Sequence, residues 1–514
     1  MPEPDRSVVL VDGQSLTLDQ LATVASGHGS ARLSPAARQR MSASRQVVER
    51  RAAGDVAVYG VNTGFGHLAS VRVPVDRLEE LQCNLVRSHC AGVGRPLARA
   101  QVRAAMLLRA NALARGHSGI RPETVDTLLA MLNHGIHPRI LEQGSVGASG
   151  DLAPLARIAL ALMGEGKVEM GGQELPAALA LSQAGLSPVR LAAKEGLSLI
   201  NGIQVSTAIG ALALLEARRL VTMADLAGAM SLEALKGSAR PFDAAVQEAR
   251  RHAGPGLSAG NLRRLLADSE IAASHADCDR VQDSYALRCM PQVHGAVRDA
   301  LSYVENVLTL EANASTDNPL VFAERDEMIS CGNFHGAPVG YAMDLMAIVM
   351  ADLASISERR MERLVNPALS GLPAFLTPDP GLHSGLMLAQ VTAASLVSEN
   401  KTLAHPASVD SIPTSGDKED HVSMCTWAAR KAAQVVGNCC TVLAIETLAA
   451  GQALEFLAPL KPGKGVAAAL AALRQHVPAL ARDRTLTPLI EQTRELLAEG
   501  TLAAAAGAAS GKLL

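Results

Sequence analysis

The residues best suited to chemistry are gathered in a few loops. Tyr59, one of only four tyrosines, opens the glycine-rich turn "YGVNTGFGH" (59–67). A phenol can act as a base once it has lost its proton. With an ordinary pKa of about 10, that requires nearby positive charge or donors to its oxygen. In "QDSYALRCMPQ" (282–292), Gln282, Tyr285 and Arg288 stand three apart, and on a helix they would share one face. The arginine fork suits a carboxylate, with tyrosine and glutamine as hydrogen-bonding partners. His89 in "RSHC" and Glu419 in "KEDH" add an imidazole and a carboxylate. Taken singly, each also has an ordinary structural reading, as a turn tyrosine, a surface arginine or a satisfied polar group.

The most heavily punctuated loop is "GSVGASGDLAPLA" (144–156). Read locally, it is a tight turn into a helix. Its glycines supply unusual backbone angles, and Asp151 stands as N-cap before Leu152, Leu155, Ile158 and Leu162. No conventional nucleophile accounts for the set. Ser149 lies in "GASGD" rather than in a GxSxG elbow, and no cysteine–histidine motif is present. There is no metal-ligand spacing, and "GFG" and "GVG" lack the strand context or the lysine of a phosphate loop.

These loops must be carried by helices. Aromatic residues make up only 2% of the chain and β-branched alternation is scarce, so strands should be few and short. Long Ala/Leu/Met-rich segments at 99–114, 203–235, 338–364 and 425–457 read as helices. In 338–364, Met343, Met346, Met350, Leu353 and Ile356 recur at spacings of three and four, a stripe suited to a core. Arg359 and Arg360 follow as cations for the helix C-terminus. The expected fold is mainly α: a large central bundle of long helices with a loop-rich N-terminal part that carries the 144–151 loop. The domain reading is an N-terminal globular part over 1–200 and a helical-bundle body over 201–514. The tail "TLAAAAGAASGKLL" is expected to fray.

With 47 basic and 50 acidic residues, net charge −3, the chain offers no field for nucleic acid. Eight scattered cysteines without a CxxC pair read as reduced thiols. "MPEPDRSVVLVDG" is not a signal peptide, and Asp344 and Asp352 interrupt the apolar stretch "AMDLMAIVMADLASI". The expectation is a cytoplasmic protein without nucleic-acid or membrane partners.

Taken together and in order, "YGVNTGFGHLAS", "NLVRSHCAGVG", "GSVGASGDLAPLA", "VQDSYALRCMPQVHGA", "TDNPLVF", "GNFHG" and "SENKTLAHPASVDSIPTSGDKEDHVSM" resemble the aromatic amino acid ammonia-lyase family, and within it the members that act on histidine. The resemblance runs from about residue 55 to 460. It implies that Ala148-Ser149-Gly150 cyclises autocatalytically to a 4-methylideneimidazole-5-one, with no diffusible cofactor and no metal. The Gly150 nitrogen would attack the Ala148 carbonyl, and Ser149 would become the methylidene after losing its hydroxyl. Small residues matter because the backbone must bend back on itself.

By the same resemblance Tyr59 is the base that removes the β-proton, and Arg288 clamps the substrate carboxylate. Asn201, Gln282 and Tyr285 bind carboxylate or amine and support the electrophile, and Phe334 shapes the pocket beside it. His89 and Glu419 fall where the histidine enzymes meet the imidazole. The phenylalanine and tyrosine enzymes instead resemble one another in a Phe-Leu or His-Leu pair and a Gln at these places. Met387 also fits the histidine pattern. The implied reaction is elimination of ammonia from L-histidine to trans-urocanate.

Ile203 (for Thr in the usual NGTQ), Ala337, His383 and Lys418 depart from the pattern. They leave open a modified histidine such as ergothioneine, with trimethylamine as leaving group, or another lyase or aminomutase. A catalytically dead scaffold is the opposing class; the intact tripeptide, Tyr59 and Arg288 argue against it. The family implies a homotetramer whose sites draw residues from three chains.

Overall fold

In the computed structural model the described residues are 7–64, 66 and 71–514. Phe65 and His67–Ser70 of the "YGVNTGFGHLAS" motif, and the first six residues of the N-terminal stretch, lie outside them. The fold is mainly α. Helices span Arg99–Ala114, Gln204–Ala234, Ala337–Val365 and Cys425–Glu455, within two residues of the segments read from periodicity. Described strands have two to five residues and pair in small sheets, such as Ser7–Val11 parallel to Gly29–Leu33.

The chain divides into two compact units. One comprises residues 1–212, 305–344 and 406–430. Its central helix, Arg99–Ala114, is buried from Val102 to Ala114 and packs on Leu18–Ala25 and Pro122–Asn133. Alanines at 104, 105, 110, 112 and 114 let its neighbours come close. The buried Arg103 stays satisfied by donating Nε–H to the Val24 carbonyl at 2.8 Å and Nη1–H to that of Leu132 at 3.0 Å. A small apolar cluster of Val47, Val48, Val61, Leu78, Ala193 and Val321, with Val58 against it, sits under the Tyr59 turn.

The other unit comprises residues 213–304, 345–405 and 431–514. Here two expectations are corrected. The tail is no frayed end: Thr501–Ser510 is a helix on Lys464–Arg474, with Leu502 and Ala506 fully buried. Beyond it Leu514 exchanges two backbone hydrogen bonds with the Asn261 side chain, at 2.8 and 2.9 Å. Nor does Arg360 serve as a solvated cation at a helix end. It is fully buried, five residues before the helix stops, and grips Glu446 with Nε at 2.5 Å and Nη2 at 2.8 Å. Ser231 and Ser357 donate to the same carboxylate at 2.7 and 2.6 Å, so no lone pair of this buried anion is left bare.

Among the described residues three helical stretches are long and apolar enough to cross a membrane, yet the relevant windows are 94%, 56% and 72% buried within the protein itself. Asp344 shows why one of them carries an acid. It is buried and accepts the Ala407 and Ser408 N–H groups at 3.0 and 2.8 Å.

Candidate active site

The 144–151 loop is held bent by backbone that only glycine tolerates. Gly147 and Gly150 have φ of +69° and +80°. A Cβ on Gly150 would lie 2.4 Å from the Gly202 carbonyl oxygen, and one on Gly147 would lie 2.4 Å from Ser423 Oγ. The tripeptide between them is fastened from outside. Asn201 Nδ2 donates to the Ser149 carbonyl at 2.7 Å, and the Asp151 N–H donates to that of Gly202 at 2.6 Å.

Asp151 begins the helix Leu152–Leu162, as the sequence suggests, but its carboxylate caps nothing there. It accepts the Ser206 N–H at 2.7 Å, in the first turn of Gln204–Ala234, so it caps a different helix. Hydroxyls of Ser206, Thr426 and Ser145 complete its shell at 2.8, 2.7 and 3.0 Å. Burial pushes its pKa up against these donors.

Two more loops are stitched to the same backbone. Gly336 N–H and Ser423 Oγ both donate to the Gly147 carbonyl, at 3.1 and 2.9 Å, and Met424 N–H donates to that of Val146 at 2.8 Å. The first of these loops presents Phe334, half-buried, beside His335, whose ring stacks on His421 at 5.9 Å. The second leads back to Glu419. Ser149 Oγ donates to Glu419 Oε1 at 2.5 Å, while Thr414 Oγ1 donates to Oε2 at 2.8 Å and fixes the carboxylate plane.

His89 ends the helix Leu78–His89 with Nδ1 2.8 Å from the Leu85 carbonyl. A carbonyl only accepts, so Nδ1 carries the proton and Nε2 keeps a lone pair. Burial holds the His89 pKa below its ordinary value, opposed by the Leu85 carbonyl and the negative charge of Glu419.

Tyr59 lies in a closed turn. Val61 and Asn62 N–H groups both donate to the Val58 carbonyl, at 3.1 and 3.2 Å, and Asn62 Oδ1 accepts the Val58 N–H at 2.7 Å. Its phenol pKa is raised, first by burial and then by the carboxylates of Glu419 and Asp317; a hydrogen bond with the Gly66 backbone opposes the shift.

Tyr59, His89, the tripeptide, Asn201, Phe334 and Glu419 therefore belong to one unit, whereas Gln282, Tyr285, Arg288 and Met387 belong to the other. Within 282–288 only Tyr285–Arg288 is helical, so Gln282 precedes the helix and shares no face with them. The Arg288 guanidinium lies 4.6 Å from the centre of the Tyr285 ring, and its buried Nε has no hydrogen-bond partner among the described residues. Tyr285 is 70% exposed. Arg363 Nε holds this turn by donating to Ser284 Oγ at 2.8 Å. Met387 opens the helix Met387–Leu403. Of the departures from the family pattern, Ile203 is buried, Ala337 half-buried and Lys418 exposed, and His383 accepts the Asp483 N–H at 3.3 Å in the other unit.

The sequence pattern of the family described as aromatic amino acid lyase matches residues 16–475. The chain belongs to the aromatic amino acid lyase family. Histidine ammonia-lyase of Anaeromyxobacter sp. (strain K) is 56% identical over 503 residues, covering 96% of this chain and 99% of its own. Two solved structures are similar throughout. Histidine ammonia-lyase from Trypanosoma cruzi has a TM-score of 0.91 at 42% identity, covering 98% of this chain and 95% of its own. Tyrosine aminomutase from Streptomyces globisporus has a TM-score of 0.93 at 38% identity, covering 98% and 100%.

As a lyase site, the unit around Ser149 fits a prosthetic group made from its own backbone. The two glycines close the bend against Gly202 and Ser423, and a side-chain amide already grips the Ser149 carbonyl. Sequence reasoning missed the residues that support this arrangement from behind: Arg109, Lys194, Ser206, Asp317 and Thr426. Arg109, Ser206 and Thr426 lie in segments whose periodicity reads as helix without saying which polar side chain is turned inward, and a single buried charge leaves no periodic trace.

Proposed function

We propose that this lyase is a histidine ammonia-lyase, converting L-histidine to trans-urocanate and ammonia. The observation that carries the reading is the Glu419 carboxylate, fixed by Thr414 and placed against Ser149 with His89 in its field. A carboxylate there meets a ring N–H by a charge-assisted hydrogen bond and would be wasted on a phenyl ring. The 56% identity to a histidine ammonia-lyase over almost the whole chain supports the same choice.

In this reading Ala148-Ser149-Gly150 forms the 4-methylideneimidazole-5-one, which supplies the electrophilic carbon that makes the substrate amine a leaving group. The residues of the chain do the rest. Asn201 holds the carbonyl of residue 149 and so orients the ring plane. Glu419 accepts the N–H of the substrate imidazole, and neutral His89 lines the ring beside it. Tyr59 takes the β-proton as phenolate, Phe334 shapes the surroundings of the tripeptide, and Arg288, stacked on Tyr285 and with Gln282 and Met387 in its own unit, binds the carboxylate in a site shared between chains. Orientation of this kind contributes much of the catalysis in such sites. The exposed Tyr285 is available to a neighbouring chain of a homotetramer with shared sites, and the location assigned in this reading is the cytoplasm.

The test is turnover of L-histidine, following urocanate absorbance and released ammonia. Urocanate with equimolar ammonia carries the proposal. Conversion to β-histidine without ammonia, or silence on histidine with trimethylamine released from ergothioneine, would replace it by the aminomutase or modified-substrate reading.

A further inference from the structure

Lys194 and Asp317 form an ion pair with no exposure of either side chain, Nζ to Oδ2 2.8 Å. Taking both charges out of water is costly. Lys194 adds backbone strain, with φ of +67°, a region that residues bearing a Cβ seldom enter.

Its place in the fold gives a reason. Lys194 immediately precedes the helix Glu195–Ile200, whose other end is Asn201, the residue that grips the Ser149 carbonyl. Lys194 Nζ also donates to Ser198 Oγ at 3.2 Å, and Ser198 Oγ donates to the Ser118 carbonyl at 2.9 Å. Fully buried Arg109 ties the Ser198 carbonyl to Gln204 Oε1 and the Thr316 carbonyl, the last two at 2.8 and 3.0 Å. On the other side, Asp317 leads directly into Asn318 and Pro319. A Cβ on Gly60 would come within 2.6 Å of Leu197 Cδ2 and 3.3 Å of Pro319 Cδ. The Tyr59–Gly60 turn is wedged between the two segments that the ion pair joins.

We propose that Lys194 and Asp317 are positioning residues for the elimination: their ion pair locks the helix carrying Asn201 to the segment supporting the Tyr59 turn, and so sets the separation of base and tripeptide. This rests on the reading of Tyr59 as base. The charged groups facing Tyr59 are Glu419 and Asp317, and those facing Lys194 are Asp317 and Arg109, with the Cys331 side chain beside them. Small misplacements of reacting groups are enough to slow such a step by about a hundredfold.

The experiment compares full-length wild type, Asp317→Asn, and Lys194→Met/Asp317→Asn by intact mass, circular dichroism and kinetics on L-histidine. The double variant avoids leaving an unpaired cation in the core. The expected result is that both variants fold and still lose two waters in mass, with kcat down about 10- to 100-fold and KM within about threefold. The acidic limb of kcat moves to lower pH, because a carboxylate that disfavours the phenolate is gone. Unchanged kcat and an unmoved limb overturn the proposal. Loss of the mass change overturns it too, by assigning the pair to loop maturation, as does failure of both variants to fold. Wild type that is two waters lighter yet inert to L-histidine fails the substrate reading instead, and the variants are then compared on the amino acid it does accept.

Discussion

Ser149 and Glu419 lie 270 residues apart in the chain, yet Ser149 Oγ donates to Glu419 Oε1 at 2.5 Å. The side chain at the centre of the reactive tripeptide is thus in contact with the group assigned to the substrate ring. Glu419→Gln keeps an acceptor for Ser149 but loses the charge. It should leave the two-water mass loss intact while kcat/KM for L-histidine falls by roughly a hundredfold or more. Undiminished turnover would remove Glu419 from imidazole recognition.

Ser149→Ala and Tyr59→Phe should fail in different ways. The first deletes the precursor of the methylidene, so the near-ultraviolet band and the full mass deficit disappear together with activity. The second leaves both signals and loses turnover by about 10²- to 10⁴-fold. A Tyr59→Phe protein with wild-type kcat would show that another group takes the proton.

The pH dependence follows from the direction of the Tyr59 shift. Burial and two carboxylates hold its pKa above the ordinary phenol value, so the base form becomes more abundant as pH rises. The kcat/KM profile should therefore climb through the alkaline range, and Glu419→Gln should shift that climb to lower pH. His89 is held below its ordinary value and stays neutral throughout this range.

Glu233 gives a stability prediction in the other unit. It is 2% exposed, accepts the Gly463 N–H at 2.9 and 3.1 Å, and burial raises its pKa to about 7. A carboxyl raised in the folded chain contributes stability that is complete below its unfolded value and is lost as pH rises through the folded one. Glu233→Gln removes that loss. Compared with wild type, the variant should gain on the order of 2–3 kcal/mol between pH 5 and pH 8 in denaturant unfolding. A constant difference across this window would show that Glu233 is not neutral in the folded chain at pH 5.

Arg360→Met should be costly, by about 3–5 kcal/mol, because it leaves Glu446 buried without its cation. The double variant Arg360→Met/Glu446→Leu should recover much of that loss, and chemical denaturation of the three proteins measures it. A double variant as unstable as the single one would mean that Ser231 and Ser357 need the carboxylate for more than charge balance.

The long helices were legible because apolar spacing is a local property that survives in one dimension. The tail was misread because an alanine-rich run says nothing about whether another helix waits to cover it; Leu502 and Ala506 find Lys464–Arg474. Asp151 was read as a cap for its own helix because capping preference is counted along the chain, while the N–H that it satisfies belongs to Ser206. The tripeptide, Tyr59 and Glu419 were legible only through the motifs around them. Lys194 and Asp317 were invisible: two ordinary surface-type residues 123 positions apart become partners only when both are buried.

The Asp151 carboxylate has a temporal consequence. Its shell needs Ser206 and Thr426, and the bend at Gly147 leans on Ser423, so the tripeptide emerges during synthesis some 270 residues before its last supports. On the proposed reading, a growing chain would hold the ingredients of its electrophile without the vice that compresses them. Arming would then wait until the remote segments have been made and folded back, sparing the unfinished polypeptide a reactive carbon among the amines of the cell.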